Sequence, residues 1–137
     1  MAETIRRVEY YYVVVQDKPG AGATVLDAVR EGGVNLLAYL GFPSGRGKSQ
    51  IDLVPEDPAA LKPVAQKAGL KLSRAKRAFL VEGDDRIGAA ADLTRRLAEA
   101  KVNVTAACAT AAGSGRYGMI VWVPPASYAK AAKALGA

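Results

Sequence analysis

The sequence predicts an α+β fold: two βαββαβ modules in tandem, each with both helices on one face of an antiparallel sheet. Three observations predict it. The chain repeats itself once: a shift of 85 − 17 = 68 positions brings Asp17 onto Asp85, Gly20 onto Gly88, Ala21 onto Ala89 and Glu31 onto Glu99. The match runs without a gap through Val34-Asn35 over Val102-Asn103, to Gly45 and Gly47 over Gly113 and Gly115, so two periods fill nearly all 137 residues. Within each period the apolar spacing switches between that of strands and that of helices, and turn residues stand at the switches.

Val8–Gln16 opens the first period with three tyrosines and four valines, residues that suit a pleated strand. Asp17-Lys18-Pro19-Gly20 stops it, because proline fixes φ and glycine accepts a tight turn. Ala21–Gly32 is a helix with Val25, Val29 and Gly32 at helical spacing, flanked by Leu26 and Ala28; Gly32-Gly33 terminates it. Val34–Phe42 returns to strand character, Pro43–Gly47 is a hairpin loop, and Ser49–Val54 alternates as a half-buried strand. Asp57 is an N-cap with Pro58 at the first helical position, and Leu61, Val64, Ala65 and Ala68 form the apolar stripe that follows. Pro63 removes a backbone donor inside this helix, so a kink or a late start is expected.

The second period repeats the order. Ala78–Glu82 is a strand and Gly83–Gly88 a turn. The next helix carries Ile87, Ala90, Leu93, Leu97 and Ala100. Val102–Thr110 and Tyr117–Val123 form a hairpin, and Pro124-Pro125 precedes a last helix to Leu135. A strand–helix–strand crossover between parallel neighbours is right-handed, and closing it with a hairpin and a second helix gives the ferredoxin-like split unit. Each unit needs a fourth strand. Leu70–Arg77 supplies it for the first module, residues 1–72 and their exit. Nothing follows Leu135 to supply it for the second, residues 73–137. Under the same shift segment 2–9 corresponds to Leu70–Arg77, with Arg6 on Arg74, so it is expected to complete the second sheet.

Composition narrows the function. Half the residues are hydrophobic and 23% are charged, a balance that supports a packed core. The basic excess of 19 − 13 = 6 is spread along the chain, as a solvated surface would be. No histidine is present, which removes serine–histidine and cysteine–histidine nucleophiles, histidine metal sites and the commonest general base. No catalytic residues, no metal and no cofactor are expected. A single cysteine, Cys108, forms no internal disulfide and suits a reducing compartment. With no apolar run of about 18 residues and no cleavage-type N-terminus, a cytoplasmic protein is expected.

The segment from Val13 to Asn35, a strand running into Asp-Lys-Pro-Gly, then a helix, then Gly-Val-Asn opening a strand, resembles the ACT domain. The same pattern recurs from Val81 to Asn103, with Gly-Asp-Asp-Arg-Ile-Gly as the turn and Lys-Val-Asn as the restart. The second turn departs from the usual form: Ile87 stands where the first has Pro19, and Gly83-Asp84 lengthens the strand exit. The resemblance implies a non-catalytic regulatory module that binds a small molecule, commonly an amino acid, and acts through assembly, here as a homodimer, or through contact with a separate enzyme or regulator chain. It implies a ligand against the first strand–helix turn and the start of the second strand. Those residues are Asp17, Pro19, Gly20, Ala21, Gly22, Asn35 and Leu36 in the first module. In the second they are Asp85, Ile87, Gly88, Ala89, Asn103 and Val104. Glycine lets a carboxylate approach the backbone at a helix N-terminus, and an asparagine amide offers both donor and acceptor. Turn geometry, capping and local bonding explain the same glycines, aspartates and asparagines, so both readings stand at this stage. The first turn, closer to the family form, is the favoured site.

Three other motifs point elsewhere. Gly41–Ser49 imitates a nucleotide-binding P-loop, but one residue too many separates its glycines and a hairpin follows where a helix is required. Arg116–Trp122 and Phe79–Val81 partly echo the aromatic strands of RNA-recognition modules, which share this strand order; Met119 replaces a stacking aromatic. An RNA-binding module and a ligand-free oligomerisation partner are therefore the alternatives. Cys108, in an alanine-rich strand, is expected to pack as a small apolar residue.

Overall fold

The computed structural model describes residues 3–137. Its elements are β1 (Thr4–Gln16), α1 (Ala21–Glu31), β2 (Leu36–Gly45), β3 (Lys48–Pro55), α2 (Pro58–Lys67), β4 (Lys76–Asp84), α3 (Ala89–Glu99), β5 (Ala106–Gly113), β6 (Arg116–Trp122), a 3₁₀ turn (Pro125–Ser127) and α4 (Tyr128–Leu135). Two compact units result: Glu9–Lys76, and Arg77–Ala137 together with the N-terminal segment up to Val8. Strand β1 gives its last residues to the first unit and its beginning to the second. Of the segment 2–9 expected to complete the second sheet, Ala2 lies outside the described residues.

In the first unit the strand order is β2-β3-β1, antiparallel throughout, with Tyr11 opposite Leu53 and Val13 opposite Ile51. Alternation along β1 sends Tyr11 and Val13 to the helical side, where they pack with Val25 and Val29 of α1, Ile51, Leu53 and Leu61. Tyr10 and Tyr12 take the other face, and the Lys76 ammonium lies over both rings at 5.7 and 5.4 Å. Asp52 is buried nearby and accepts a hydrogen bond of 2.9 Å from Gln50 Nε2. In the second unit the order is β1-β4-β6-β5, with Phe79 opposite Val121 and Val81 opposite Met119. Its core joins these to Leu93, Leu97, Tyr117 and Tyr128, with Ile5 of β1 against it. Tyr128 stacks on Phe79 at 4.4 Å, and its hydroxyl donates to the Ala78 carbonyl at 2.8 Å.

The repeat holds at the level of the backbone. Asp17 N–H donates to Gly47 O at 2.9 Å, and Asp85 N–H donates to Gly115 O at 2.9 Å. The hairpin residues Gly45-Arg46-Gly47 and Gly113-Ser114-Gly115 all have positive φ. Gly20 and Gly88 occupy equivalent turns.

Four expectations are corrected. Leu70–Arg77 is not one strand: β4 begins at Lys76, and residues 70–75 carry no regular ladder. Ser73 holds this segment against β1 instead, its N–H donating to Tyr12 O and its hydroxyl accepting from Tyr12 N–H, which takes the place of a ladder bond. Ile87 is not on the helical stripe, because the left-handed Gly88 is the N-cap and α3 starts only at Ala89; Ala89 is buried in its stead and Ile87 is fully exposed. Of the kink or late start expected around Pro63, the late start is corrected: helix α2 starts at Pro58, with Pro63 inside it and Asp57 capping the Ala59 N–H. Cys108 is exposed, because β5 is an edge strand with all eight residues solvent-accessible.

Candidate ligand site

Helices α1 and α3 both begin at a glycine that a side chain would strain. Gly20 has φ 89° and Gly88 φ 85°, left-handed values that cost other residues about 1–2 kcal/mol. Neither helix has a side-chain cap, whereas α2 is capped by Asp57. The first helical bonds run from Thr24 N–H to Gly20 O and from Asp92 N–H to Gly88 O, while Ala21 and Ala89 donate back into their turns. The amides of Gly22 and Ala23, and of Ala90 and Ala91, are left as first-turn donors with positive potential behind them.

A cavity of about 260 Å³ opens at the second of these turns. Asp85, Arg86 and Gly88–Ala91 line it from the turn and α3, Ala109, Thr110 and Ala111 from β5, and Tyr117 from β6. Arg86 is held by Asp92 at 2.8 Å, and Arg116 by Asp84 at 2.8 Å. Tyr117 is only 7% exposed, and its hydroxyl has no hydrogen-bond partner among the described residues. Burial pushes its pKa above the ordinary tyrosine value; the Glu3 charge adds to this, and Arg86 and Arg96 oppose it. The phenol is therefore neutral at neutral pH and keeps its proton. Gly83, opposite Tyr117 on β4, makes room for the ring, since a Cβ there would stand 2.9 Å from Tyr117 Cε1.

The first turn has diverged at these positions. Under the repeat shift Ser49 stands for Tyr117, Phe42 for Thr110 and Pro43 for Ala111. The Ser49 hydroxyl is satisfied locally, donating to Asp17 at 3.0 Å. Pro19, Gly20, Ala21 and Gly22 are brought together with Asp17 at this turn, and Ile51 Cδ1 stands 3.6 Å from where a Gly22 Cβ would be. The sequence favoured the first turn; this cavity is at the second.

The asparagines are not brought to either turn within its own unit. Asn35 sits at the far end of β3, where its carbonyl accepts from Glu56 N–H at 2.8 Å and its amide donates to Glu56 at 3.4 Å. Thr105 N–H donates to Trp122 O, which puts Asn103 and Val104 at the end of β6 away from Arg116 and the Gly88 turn. The separation is a strand length, about 20 Å at 3.4 Å per residue. The cause is the crossover helix: it spans the sheet, so the residues that follow it return to the opposite edge. Leu36 and Val104 pack partly buried against their cores. Sequence reasoning passed over Thr110 and Arg86; the signal was the replacement of Phe42-Pro43 by Thr110-Ala111 under the shift.

Tyr117, Met119 and Trp122 are each at most 7% exposed, so they offer no platform on which bases could stack. Among the described residues no cluster of His, Cys, Asp or Glu is suited to a metal ion, and no helix is long and apolar enough to cross a membrane.

The sequence matches no protein-family model, and no curated protein matches it significantly. Solved structures do match. Protein BT0572 from Bacteroides thetaiotaomicron superposes with a TM-score of 0.82 at 12% identity, over 96% of this chain and 88% of that one. The ligand-free regulatory subunit of aspartate kinase from Thermus thermophilus gives 0.63 at 18% identity, covering 99% of this chain and 95% of that one. The regulatory subunit of aspartate kinase from Thermus flavus gives 0.59 at 19% identity over the same shares. At these identities the likeness is one of fold, and it extends over whole chains. The protein thus has a tandem ACT-domain fold, the architecture it shares with the regulatory subunits of aspartate kinase.

Proposed function

We propose that this chain is a non-catalytic regulatory protein that binds a small amino acid at the Gly88 turn. One observation carries the reading: the uncapped N-terminus of α3 opens directly onto a cavity of about 260 Å³. The amides of Ala90 and Ala91 would receive the carboxylate, with Gly88 allowing close approach and Asp85 at the rim for the ammonium group. At about 260 Å³ the cavity lies just below the range for small-molecule sites, about 300–1,000 Å³, which suits a small metabolite better than a cofactor. The regulatory neighbours in fold support a role without catalysis, exerted on a separate enzyme or regulator chain in the cytoplasm. The output is a change in assembly of a homodimer. Strand β5 supports this: it is a fully exposed, uncharged edge, the kind that proteins otherwise blunt with charge or cover.

Thermal-shift screening against the amino acids tests the reading. A ligand at a hundred times its dissociation constant adds about 2.7 kcal/mol of stability. A reproducible rise in melting temperature with one amino acid, lost in Gly88→Val, is the expected result. No shift with any amino acid at millimolar concentration would refute it.

A further inference from the structure

We infer that binding at the Gly88 cavity controls how firmly segment 3–8 is held on β4, through a latch of Glu3, Gly83, Arg96 and Tyr117. The inference rests on the amino-acid reading above and adds how that site is coupled to the rest of its unit.

Two elements of the cavity reach the segment. Helix α3 lines the cavity with its first turn, Ala89–Ala91, and carries Arg96 in its last. One nitrogen of the Arg96 guanidinium holds Glu3 at 2.6 Å and the other donates to the Leu135 carbonyl at 2.8 Å. Arg96 thus ties the entry to β1 and the end of α4 to α3. Tyr117 lines the cavity from β6 and leans over Gly83 of β4. A Cβ at Gly83 would stand 2.9 Å from Tyr117 Cε1 and 3.1 Å from Glu3 Cβ, so ring and segment close over the same point of the strand. The Glu3 and Arg96 charges both reach the phenol.

The other ties of the segment are weaker. Arg6 and Glu82 stand 3.5 Å apart with side chains 47% and 52% exposed, a solvated pair that contributes little. Arg7 reaches the Ala137 carbonyl at 3.2 Å, and Ile5 is only partly buried against the core. A strand end held this way opens locally at a lower cost than unfolding of its unit. Opening takes Glu3 from Arg96 and uncovers the Tyr117 ring, which loosens two elements that shape the cavity. The docked segment is therefore the form competent to bind. A ligand that binds this form alone raises its population, and by the same linkage a weakened latch lowers the affinity.

The repeat supplies a comparison inside the chain. Under the shift Arg96, Tyr117, Gly83 and Glu3 become Ala28, Ser49, Val15 and Lys71. Val15 lies opposite Ser49 as Gly83 lies opposite Tyr117, so the backbone positions match while the latch chemistry is missing. All four positions change together, and the latch stands in the unit whose Gly88 turn carries the cavity.

Amide exchange and calorimetry on the whole chain test this, with the amino acid that gives the largest thermal shift as probe. At about a hundred times its dissociation constant, exchange at residues 4–8 of the wild type should slow by about tenfold or more. In Arg96→Gln without ligand, exchange there should quicken, and the same amino acid should bind about threefold or more weakly. Arg95→Gln removes an equal charge one residue away and should change neither. Unchanged exchange at residues 4–8 on saturation of the wild type would overturn the inference, and this measurement decides even if Arg96→Gln does not fold. Wild-type affinity in an Arg96→Gln protein with quickened exchange, unchanged exchange in that variant, or an equal loss of affinity in Arg95→Gln would each overturn it while leaving amino-acid binding intact. Absence of binding by all amino acids to wild type would overturn the proposed function and the coupling with it.

Discussion

Gly20→Ala and Gly88→Ala form a matched pair, equal in backbone cost and unequal in binding. Both glycines are N-caps in the left-handed region, at φ 89° and 85°. A Cβ built at either would meet nothing within 4 Å, so no packing term separates them. The cost is therefore that of placing an L-residue at positive φ, about 1–2 kcal/mol. The loss of unfolded-state freedom on replacing glycine returns about 0.4–1 kcal/mol. Each variant should lose about 1 kcal/mol, read as a lower denaturant midpoint with an unchanged slope. Calorimetry on the folded variants should then separate them. Gly88→Ala puts a methyl at the mouth of the cavity and should weaken amino-acid binding by about tenfold or more, the equivalent of one lost hydrogen bond to a charged group. Gly20→Ala should bind as wild type does. Lost affinity in Gly20→Ala with retained affinity in Gly88→Ala would move the site to the first turn. A stability difference between the two larger than the strain itself would refute the backbone argument.

Three further outcomes are expected. Gly32→Ala should cost about 1–3 kcal/mol by overpacking, because its φ of −79° suits alanine but a Cβ there would stand 2.6 Å from Val64 Cγ1; denaturation of Gly32→Ala/Val64→Ala should recover most of the loss, and additive losses would contradict the contact. Asp52→Asn should stabilise the protein at neutral pH. Burial raises the Asp52 pKa above its ordinary 3.8, against the opposing Gln50 hydrogen bond and Lys76 charge, so folding favours the protonated form. That contribution is complete below the unfolded pKa and is lost as pH rises through the folded one. The advantage of Asp52→Asn should accordingly vanish as pH falls below 3.8, and a gain that persists there would contradict the assignment. Deleting residues 1–8 removes Ile5 from the second core and the Arg6–Glu82 and Glu3–Arg96 pairs. Amide exchange should then quicken at Phe79–Val81 and Met119–Val121 and stay unchanged at Ile51–Leu53.

Much of the fold was legible because turn chemistry repeats. Asp-x-x-Gly before each crossover helix and Gly-x-Gly at each hairpin fix both units in register, and Asp57-Pro58 marks its helix to the residue. What failed did so for tertiary reasons. Leu70–Arg77 has strand composition, but the Ser73 hydroxyl replaces a ladder bond. Cys108 and its alanine neighbours read as core by hydropathy, yet they lie on an edge strand, and no local pattern states which strand is the edge. The asparagines follow the family motif in sequence, while the crossover helix carries them a strand length from the turn. Tyr117 could not be singled out, since an unpartnered hydroxyl is a property of packing. Its mark was indirect: the Ser49 and Phe42 positions changed together between repeats.

Amide chemical-shift mapping during titration of uniformly ¹⁵N-labelled wild-type protein with an amino acid tests the ligand site most directly. Binding at the second turn should move Ala90 and Ala91 most, then Ala109–Ala111 and Tyr117, with Gly22, Ala23, Asn35 and Asn103 little changed. Shifts centred on Gly22 and Ala23, or on the asparagines at the far strand ends, would contradict it.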